Sequence, residues 1–456
     1  MEQGTGKTRT ALELINIRLN KGRIDHVIWL CPCSVKETLR RDIIKHTGDE
    51  QSDLITICGI ETLSTSIKWN SYLLEIANNK SCYLIVDESS KTKNHRAKRT
   101  ENIIRLAGLC KYKTILNGTP ITRNEADLYS QMYILDWRIL KYKSFWSFAA
   151  NHLEYDENGK LRRCLNTDYL VEKIAPYAYQ VKKSECLSLP KKTYDTVYYD
   201  LTKEQDMHYE YVADSLLFTL DEIKGYTIYR FFTALQLVIS GYLVDTSKQT
   251  SDGEVHIKKE PFFKEPLKNP RLKCLMNIID GMQEKCIVFC KYTYEIEIIT
   301  DLINKKYGDG TAVSYNGNMN LKSRQKNLDE FKEKVQFLIA NKTCAGFGLN
   351  LQFCSYVIFY SNDFDYATRS QAEDRVHRIG QDRNVHIIDI CAANTLDEKI
   401  IKCLNKKENL LDSFKNELEK KKDLETVISW IRKKDYRGKN YYKKITDADK
   451  SDLKEE

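Results

Sequence analysis

Three short stretches carry residue types whose spacing could do chemistry. The first is Gly4-Thr5-Gly6-Lys7-Thr8, followed by the helical run RTALELINIRL. Glycines let backbone amides curl around phosphate oxygens, a lysine offers a point charge to β and γ phosphates, and a threonine hydroxyl can ligate Mg²⁺. A helix starting there turns its positive end toward the same anion. The second stretch is CYLIVDESS at 82–90, an apolar strand that ends in two carboxylates. In that position Asp87 would hold Mg²⁺ and Glu88 would polarise an attacking water, although an Asp-Glu pair after a strand also reads as a plain helix start. The third is QAEDRVHRIGQ at 371–381. Gln371, Arg375 and Arg378 fall at i, i+4 and i+7, one face of a helix, where two arginines could reach a γ-phosphate or simply form a solvated charged face.

The elements needed to position these residues are legible as alternating strands and helices. HVIWLCP (26–32), DLITICG (53–59), CYLIVDE (82–88) and KTILNGT (113–119) form one set of apolar runs. KCIVFCK (285–291), GTAVSYN (310–316), VQFLIAN (335–341), YVIFYSN (356–362) and NVHIIDI (384–390) form a second. Strands separated by helix-length connections imply parallel sheets, hence an α/β fold with two lobes. Between them YSQMYILDWRILKYKSFWSFAANHL and EQDMHYEYVADSLLFTLDEI show helical spacing, while the polar stretch 245–270 reads as a loop. The expected division is a first lobe at 1–135, a helical insertion and linker at 136–280, a second lobe at 281–405 and a charged helical tail at 406–456.

Composition narrows the function classes. The 456 residues suggest two or three domains, and 42% hydrophobic with 30% charged residues is the balance of a soluble globular protein. The net charge of +8 permits a nucleic-acid partner without requiring one. No apolar run approaches the ~18 residues of a membrane span, and MEQGTGKTRT holds no apolar signal-peptide core. The 14 cysteines are scattered without zinc spacing, so reduced thiols and no zinc site are expected. A cytoplasmic or nucleoid-associated location follows, or the host cytoplasm for a viral chain.

The order GTGKT, DESS, LNGTPI (116–121), GFGLNL (346–351) and QAEDRVHRIGQ resembles the Swi/Snf-type ATPases of helicase superfamily two, and HRIGQ is close to a signature of that branch. LCPCSVKETLRRDI, GIETLS, SLPKK and KCIVFCKY extend the match, so that the resemblance covers roughly residues 1–405. It implies two RecA-like P-loop NTPase lobes, ATP and Mg²⁺ as cofactors, and a motor that tracks along duplex DNA through its phosphates. The implied roles are binding of the triphosphate and metal by Gly4, Thr5, Gly6, Lys7, Thr8 and Asp87, with Glu88 as base. Gly118, Thr119 and Pro120 would couple hydrolysis to lobe movement. Gly348, Asn350 and Leu351 would sit at the interlobe cleft, and Gln371, Arg375 and Arg378 would complete the site. Nucleic-acid contacts would fall on Ser34, Lys36, Lys291, Tyr292 and Thr343.

Departures from the family pattern include DESS in place of DEAH, Cys344-Ala345 in place of Ala-Gly, and VKKSE (181–185) in place of an Arg-Arg pair. Met1 stands at the first position of the phosphate loop, so a fragment or a late start that binds ATP poorly alone is expected, or a missing part supplied by another polypeptide. In RKKDYRGKNYYKK (432–444), seven basic residues and three tyrosines could meet phosphates and stack on bases. Two rival readings remain: a strand-separating DNA or RNA helicase, and a non-hydrolysing nucleic-acid-binding scaffold.

Overall fold

The computed structural model describes residues 1, 4–51, 53–118, 125–155, 161–181, 183–217, 225–245, 258–342 and 349–406. The basic-aromatic tail, Thr119, Pro120, Thr343 and Gly348 lie outside the described residues. The chain divides into two compact units. The first comprises Met1–Lys191, Thr343–Ser355 and Ser370–Val385; the second comprises Lys192–Lys342, Tyr356–Arg369 and His386–Glu456.

The first unit is built on β1 (His26–Cys31), β2 (Ile55–Gly59), β3 (Cys82–Asp87) and β4 (Tyr112–Leu116), in the order β2-β1-β3-β4. All three pairings are parallel, with Ile28 opposite both Thr56 and Leu84, and Val86 opposite Ile115. β1 is buried at all six positions, and β3 at its first five. That is why HVIWLC and CYLIV read as unbroken apolar runs, since helices cover both faces of a parallel sheet. Ala11, Leu12 and Ile15 of the helix Lys7–Asn20 pack on one face with Leu39, Ile43, Trp29 and Tyr83. Ile103, Leu106 and Ala107 of the helix Lys98–Leu109 pack on the other with Leu73, Leu30 and Leu84. β4, at one end of the described sheet, is half-buried throughout. A smaller core around Tyr129, Met132, Phe148 and Leu170 joins the helices Asp127–Asp136 and Phe145–His152 to the antiparallel pair β5 (Leu153–Tyr155) and β6 (Leu161–Cys164).

In the second unit β7 (Lys192–Tyr199) ends a six-stranded sheet with β10 (Cys286–Cys290), β11 (Ala312–Tyr315), β12 (Phe337–Asn341), β13 (Tyr356–Phe359) and β14 (Val385–Ala392). The order is β11-β12-β10-β13-β14-β7. The central strand, CIVFC, is wholly buried and parallel to both neighbours. Two expectations need correction. Residues 136–280 are not only helical: they hold the β5–β6 pair and β7, whose exposed tyrosines hide its strand pattern. The stretch 245–270 is not all loop either, because β9 (Lys258–Pro261) pairs antiparallel with β8 (Tyr242–Asp245). KKEP carries no apolar alternation, so pairing with β8 sets its conformation.

Candidate functional site

The parallel strands of the first sheet point the same way, so the residues that follow them gather at one edge, the usual place for a ligand in an open α/β sheet. Asp87 is the last residue of β3, and Asn117 and Gly118 follow β4. Gly6 caps the helix Lys7–Asn20 with φ 89°, and Gly4 sits at φ 77°. A side chain on Gly6 would meet open space, so its left-handed backbone is what calls for glycine there. Gly4 also has a neighbour: a Cβ there would lie 3.3 Å from the Cβ of Arg378. The helix has no acidic residue in its first turn and no side-chain cap, an end suited to an outside anion. Thr8 is half-buried in that turn.

Lys7 and the two carboxylates form one electrostatic group. Burial lowers the Lys7 ammonium, Glu88 and Asp87 hold it up, and Arg375 pulls it down again. Burial and the adjacent Glu88 push Asp87 up to about 6, against the pull of Lys7 and Arg375. Glu88 occupies the left-handed region at φ 50°, and its amide donates to Asp87 Oδ1 at 3.0 Å. A non-glycine residue in this region is strained, a state found where the surroundings fix a functional geometry. Burial, and after it Arg378, bring Arg375 down to about 10, while Glu88, Asp374 and Asp87 hold it charged.

Arg378 departs from the expected face. The helix Tyr366–Val376 ends before it, so only Gln371 and Arg375 share a helical face. His377 and Arg378 form a bend after the helix, and Gly380 turns the chain at φ 94°. Arg378 instead donates to Asn350 Oδ1 and to Leu349 O. Burial lowers it, while Asp42 and Asp374 keep it charged; burial in turn raises Asp42, which Arg378 draws back down. The Leu351 amide donates to Arg375 O at 3.1 Å, so residues 349–351 pack against residues 375–378. Asp42, Asp374 and Lys183 belong to this neighbourhood; each lies in a stretch quoted above, but none was given a role there.

A buried polar chain links the ends of β3 and β4. Ser89 Oγ donates to Gln131 Oε1 at 2.7 Å, and Asn117 Nδ2 donates to both at 3.3 Å. Gln131 Nε2 then donates to Asp127 O at 2.7 Å. Gly118 follows Asn117 in a half-buried bend.

The described residues expected to touch nucleic acid fall in both units. Ser34 is exposed, and Lys36 lies 5.8 Å over the ring of Trp69 beyond the end of β1. Lys291 and Tyr292 are instead held in the second unit. Lys291 Nζ donates to Gln236 Oε1 at 2.5 Å and stands 3.9 Å over Phe364. The Tyr292 hydroxyl is buried without a hydrogen-bond partner among the described residues. Among the described residues no group of three or more His, Cys, Asp or Glu could hold a metal by itself, and the described cysteines are free thiols. The Thr8 hydroxyl and Asp87 carboxylate fit a Mg²⁺ that brings phosphate oxygens as its other ligands.

The chain is similar to several known proteins. A Helicase conserved C-terminal domain matches residues 270–380. YwqA of Bacillus subtilis is 28% identical over 362 residues, which is 77% of this chain and 36% of that protein. Protein CHROMATIN REMODELING 4 of Arabidopsis thaliana is 23% identical over 355 residues, 76% of this chain and 16% of that protein. The chain thus spans well under half the length of these relatives. YqhH of the same Bacillus, an uncharacterised ATP-dependent helicase, is 24% identical over 435 residues, 92% of this chain and 76% of that protein. The solved SWI2/SNF2 ATPase core of Sulfolobus solfataricus in complex with dsDNA is 23% identical, with a TM-score of 0.38 over 89% of this chain and 85% of that one. The SNF2-related domain matches residues 2–240, just over half of the chain, and takes in both the phosphate loop and the paired carboxylates; the chain belongs to the SNF2-related family.

Proposed function

We propose that the chain is an ATP-hydrolysing motor that tracks along duplex DNA without reading its sequence. The observation that carries this reading is the glycine-led, uncapped start of the helix Lys7–Asn20 together with the two carboxylates at the end of β3, Asp87 and Glu88. Two cations and two carboxylates around an uncapped helix start suit a polyphosphate and its counter-ion.

In this reading the first-turn amides and Lys7 bind the β and γ phosphates. Thr8 and Asp87 would hold Mg²⁺, which would supply positive charge against the phosphates when bound. Glu88 accepts a proton from the attacking water as its oxygen bonds to the γ-phosphorus and the bond to the β-bridging oxygen breaks. ADP and phosphate leave, and the proton returns to solvent. Arg375 meets the charge that spreads over the transferring phosphoryl group. The Asn117–Ser89–Gln131 chain connects the carboxylates to Gly118, which would couple hydrolysis to movement together with Thr119 and Pro120. Ser34 and Lys36 would contact the phosphate backbone. The names of the helicase relatives support ATP as a ligand, and the likeness of QAEDRVHRIGQ to the Swi/Snf branch supports duplex DNA.

The test is phosphate release from ATP by the full chain with no nucleic acid, single-stranded DNA, duplex DNA and RNA. Duplex DNA should stimulate most. Equal or greater stimulation by single strands would favour a strand-separating helicase, and no turnover under any condition would favour a non-hydrolysing scaffold.

A further inference from the structure

Glu88 sits at φ 50° and ψ 51°, a left-handed conformation for a residue with a side chain. Such a conformation persists only where the surroundings over-determine it. The residues that follow supply that constraint. Ser89–Thr92 form a 3₁₀ turn in which Ser89 and Thr92 are wholly buried. The Lys91 amide donates to Glu88 O at 2.9 Å, and Thr92 Oγ1 donates to Ser89 O at 2.7 Å. Thr100, on the helix Lys98–Leu109, donates its hydroxyl to Thr92 O at 3.1 Å.

Ser89 stands where the family pattern DEAH has alanine, so this chain buries an extra hydroxyl beside Glu88. A buried hydroxyl needs a partner. Gln131, wholly buried on the helix Asp127–Asp136, accepts from Ser89 Oγ at 2.7 Å. The amide of Gln131 is aimed by its other end: Nε2 donates to Asp127 O at 2.7 Å, which leaves Oε1 toward Ser89. Asn117, just after β4, donates to the same Oε1 at 3.3 Å. The turn after Glu88 is thus tied to two helices and to the end of a neighbouring strand. The side-chain tie nearest Glu88 is the Ser89–Gln131 bond. Ser89 shares a peptide unit with Glu88, so any movement of Ser89 rotates that unit and swings the Glu88 carboxylate.

We propose that Gln131 is a positioning residue for ATP hydrolysis: through its bond to Ser89 it holds Glu88 in the left-handed conformation that aims the carboxylate at the attacking water. The role rests on the ATPase reading above. It differs from the coupling of hydrolysis to movement through Asn117 and Gly118, because it acts on the base alone. Loss of Gln131 should therefore matter only in a chain that still has its base.

The experiment measures kcat and KM for ATP, with duplex DNA present, together with melting temperature. The full chain is compared with Gln131→Met, Ser89→Ala, the double Gln131→Met/Ser89→Ala variant, Glu88→Gln and Glu88→Gln/Gln131→Met. Gln131→Met, close in volume to the parent side chain, should lose ~10- to 100-fold in kcat, the range expected when a catalytic group is displaced by about an ångström, with KM changed less than about threefold. Ser89→Ala should lose a similar factor, and the double variant should lose little more than either, since the two side chains act as one unit. In the Glu88→Gln background, Gln131→Met should change the residual rate less than about threefold. A Gln131→Met variant within about twofold of the parent kcat per folded molecule would overturn the proposal. So would an equal loss in the parent and Glu88→Gln backgrounds, which would mark Gln131 as structural or as acting through Asn117. Losses that multiply in the Gln131→Met/Ser89→Ala variant would overturn the path through Ser89. If Gln131→Met fails to fold, Ser89→Ala in the parent and Glu88→Gln backgrounds decides in the same way. These failures differ from failure of the ATPase reading, which would appear as no turnover in the parent chain, or as parent-like turnover in Lys7→Ala.

Discussion

Each unit gathers charged side chains around its parallel sheet, yet the two collections are built differently. In the second unit the charges are sealed in pairs. Arg271 and Asp397 pair at 2% and 4% side-chain exposure. Arg369 meets Asp389 through two bonds, 2.5 and 3.0 Å, with its guanidinium 3.4 Å over Phe359. Glu295 accepts from Ser240 and Ser361 and from the Lys291 and Tyr292 amides. In the first unit Lys7, Asp87, Glu88 and Arg375 influence one another from half-buried positions beside an uncapped helix start. A sealed network specifies packing, and removal of one partner strands a buried charge. A half-open cluster is suited to a ligand that brings charge of its own. Substitutions in the first cluster should therefore remove activity and spare stability, and those in the second should do the reverse.

The largest expected effect lies in the first cluster. Glu88→Gln should retain ATP binding and slow phosphate release by ~100-fold or more, as loss of a positioned base does. Equal loss of nucleotide binding, measured by titration with a fluorescent nucleotide, would move Glu88 into a structural role. Arg375→Ala should follow, with a fall of ~10-fold or more in turnover and little change in melting temperature. Arg378→Ala should act less on turnover and more on stability, because Arg378 is bonded to Asn350 and Leu349.

In the second cluster Arg271→Met should leave Asp397 buried and alone, lowering unfolding free energy by ~3–5 kcal/mol in urea titrations. Turnover per folded molecule should stay near the parent value. The smallest effect concerns Lys342, buried at the end of β12 with its ammonium 2.8 Å from Ser361 O. Burial lowers it from 10.5 to about 7; Asp363 and Glu295 oppose that shift, and Lys291 and Arg369 add to it. Between those values the unfolded chain binds the extra proton, so stability should rise as pH rises from about 7 toward 10.5 and be least below 7. The urea midpoint of Lys342→Met should lack that rise between neutral and alkaline pH.

Much of this contrast was legible in the sequence where short-range pattern sets the structure. The strands of both sheets follow their apolar runs because a doubly covered strand must be apolar on both faces, as His26–Cys31 is. Gly6 and Lys7 fall where a loop meets a helix, and Asp87 and Glu88 where a strand ends. What escaped reading depends on contacts between distant residues. Lys183 and Asp374 are separated by 191 positions, and Ser89 and Gln131 by 42. The end of the helix before Arg378 was missed because QAEDRVHRIGQ has uninterrupted helical spacing up to Gly380. Lys291 was expected to touch nucleic acid from the family resemblance, and its contacts with Gln236 and Phe364 come from residues far away in the sequence.

The central claim, that the phosphate loop and the paired carboxylates form the hydrolytic site, is tested most directly by Lys7→Ala. Phosphate release and duplex-DNA affinity are measured on the same preparation as the melting temperature. Turnover should vanish while DNA binding and melting temperature stay near those of the parent chain. Hydrolysis at the parent rate by Lys7→Ala would contradict the account.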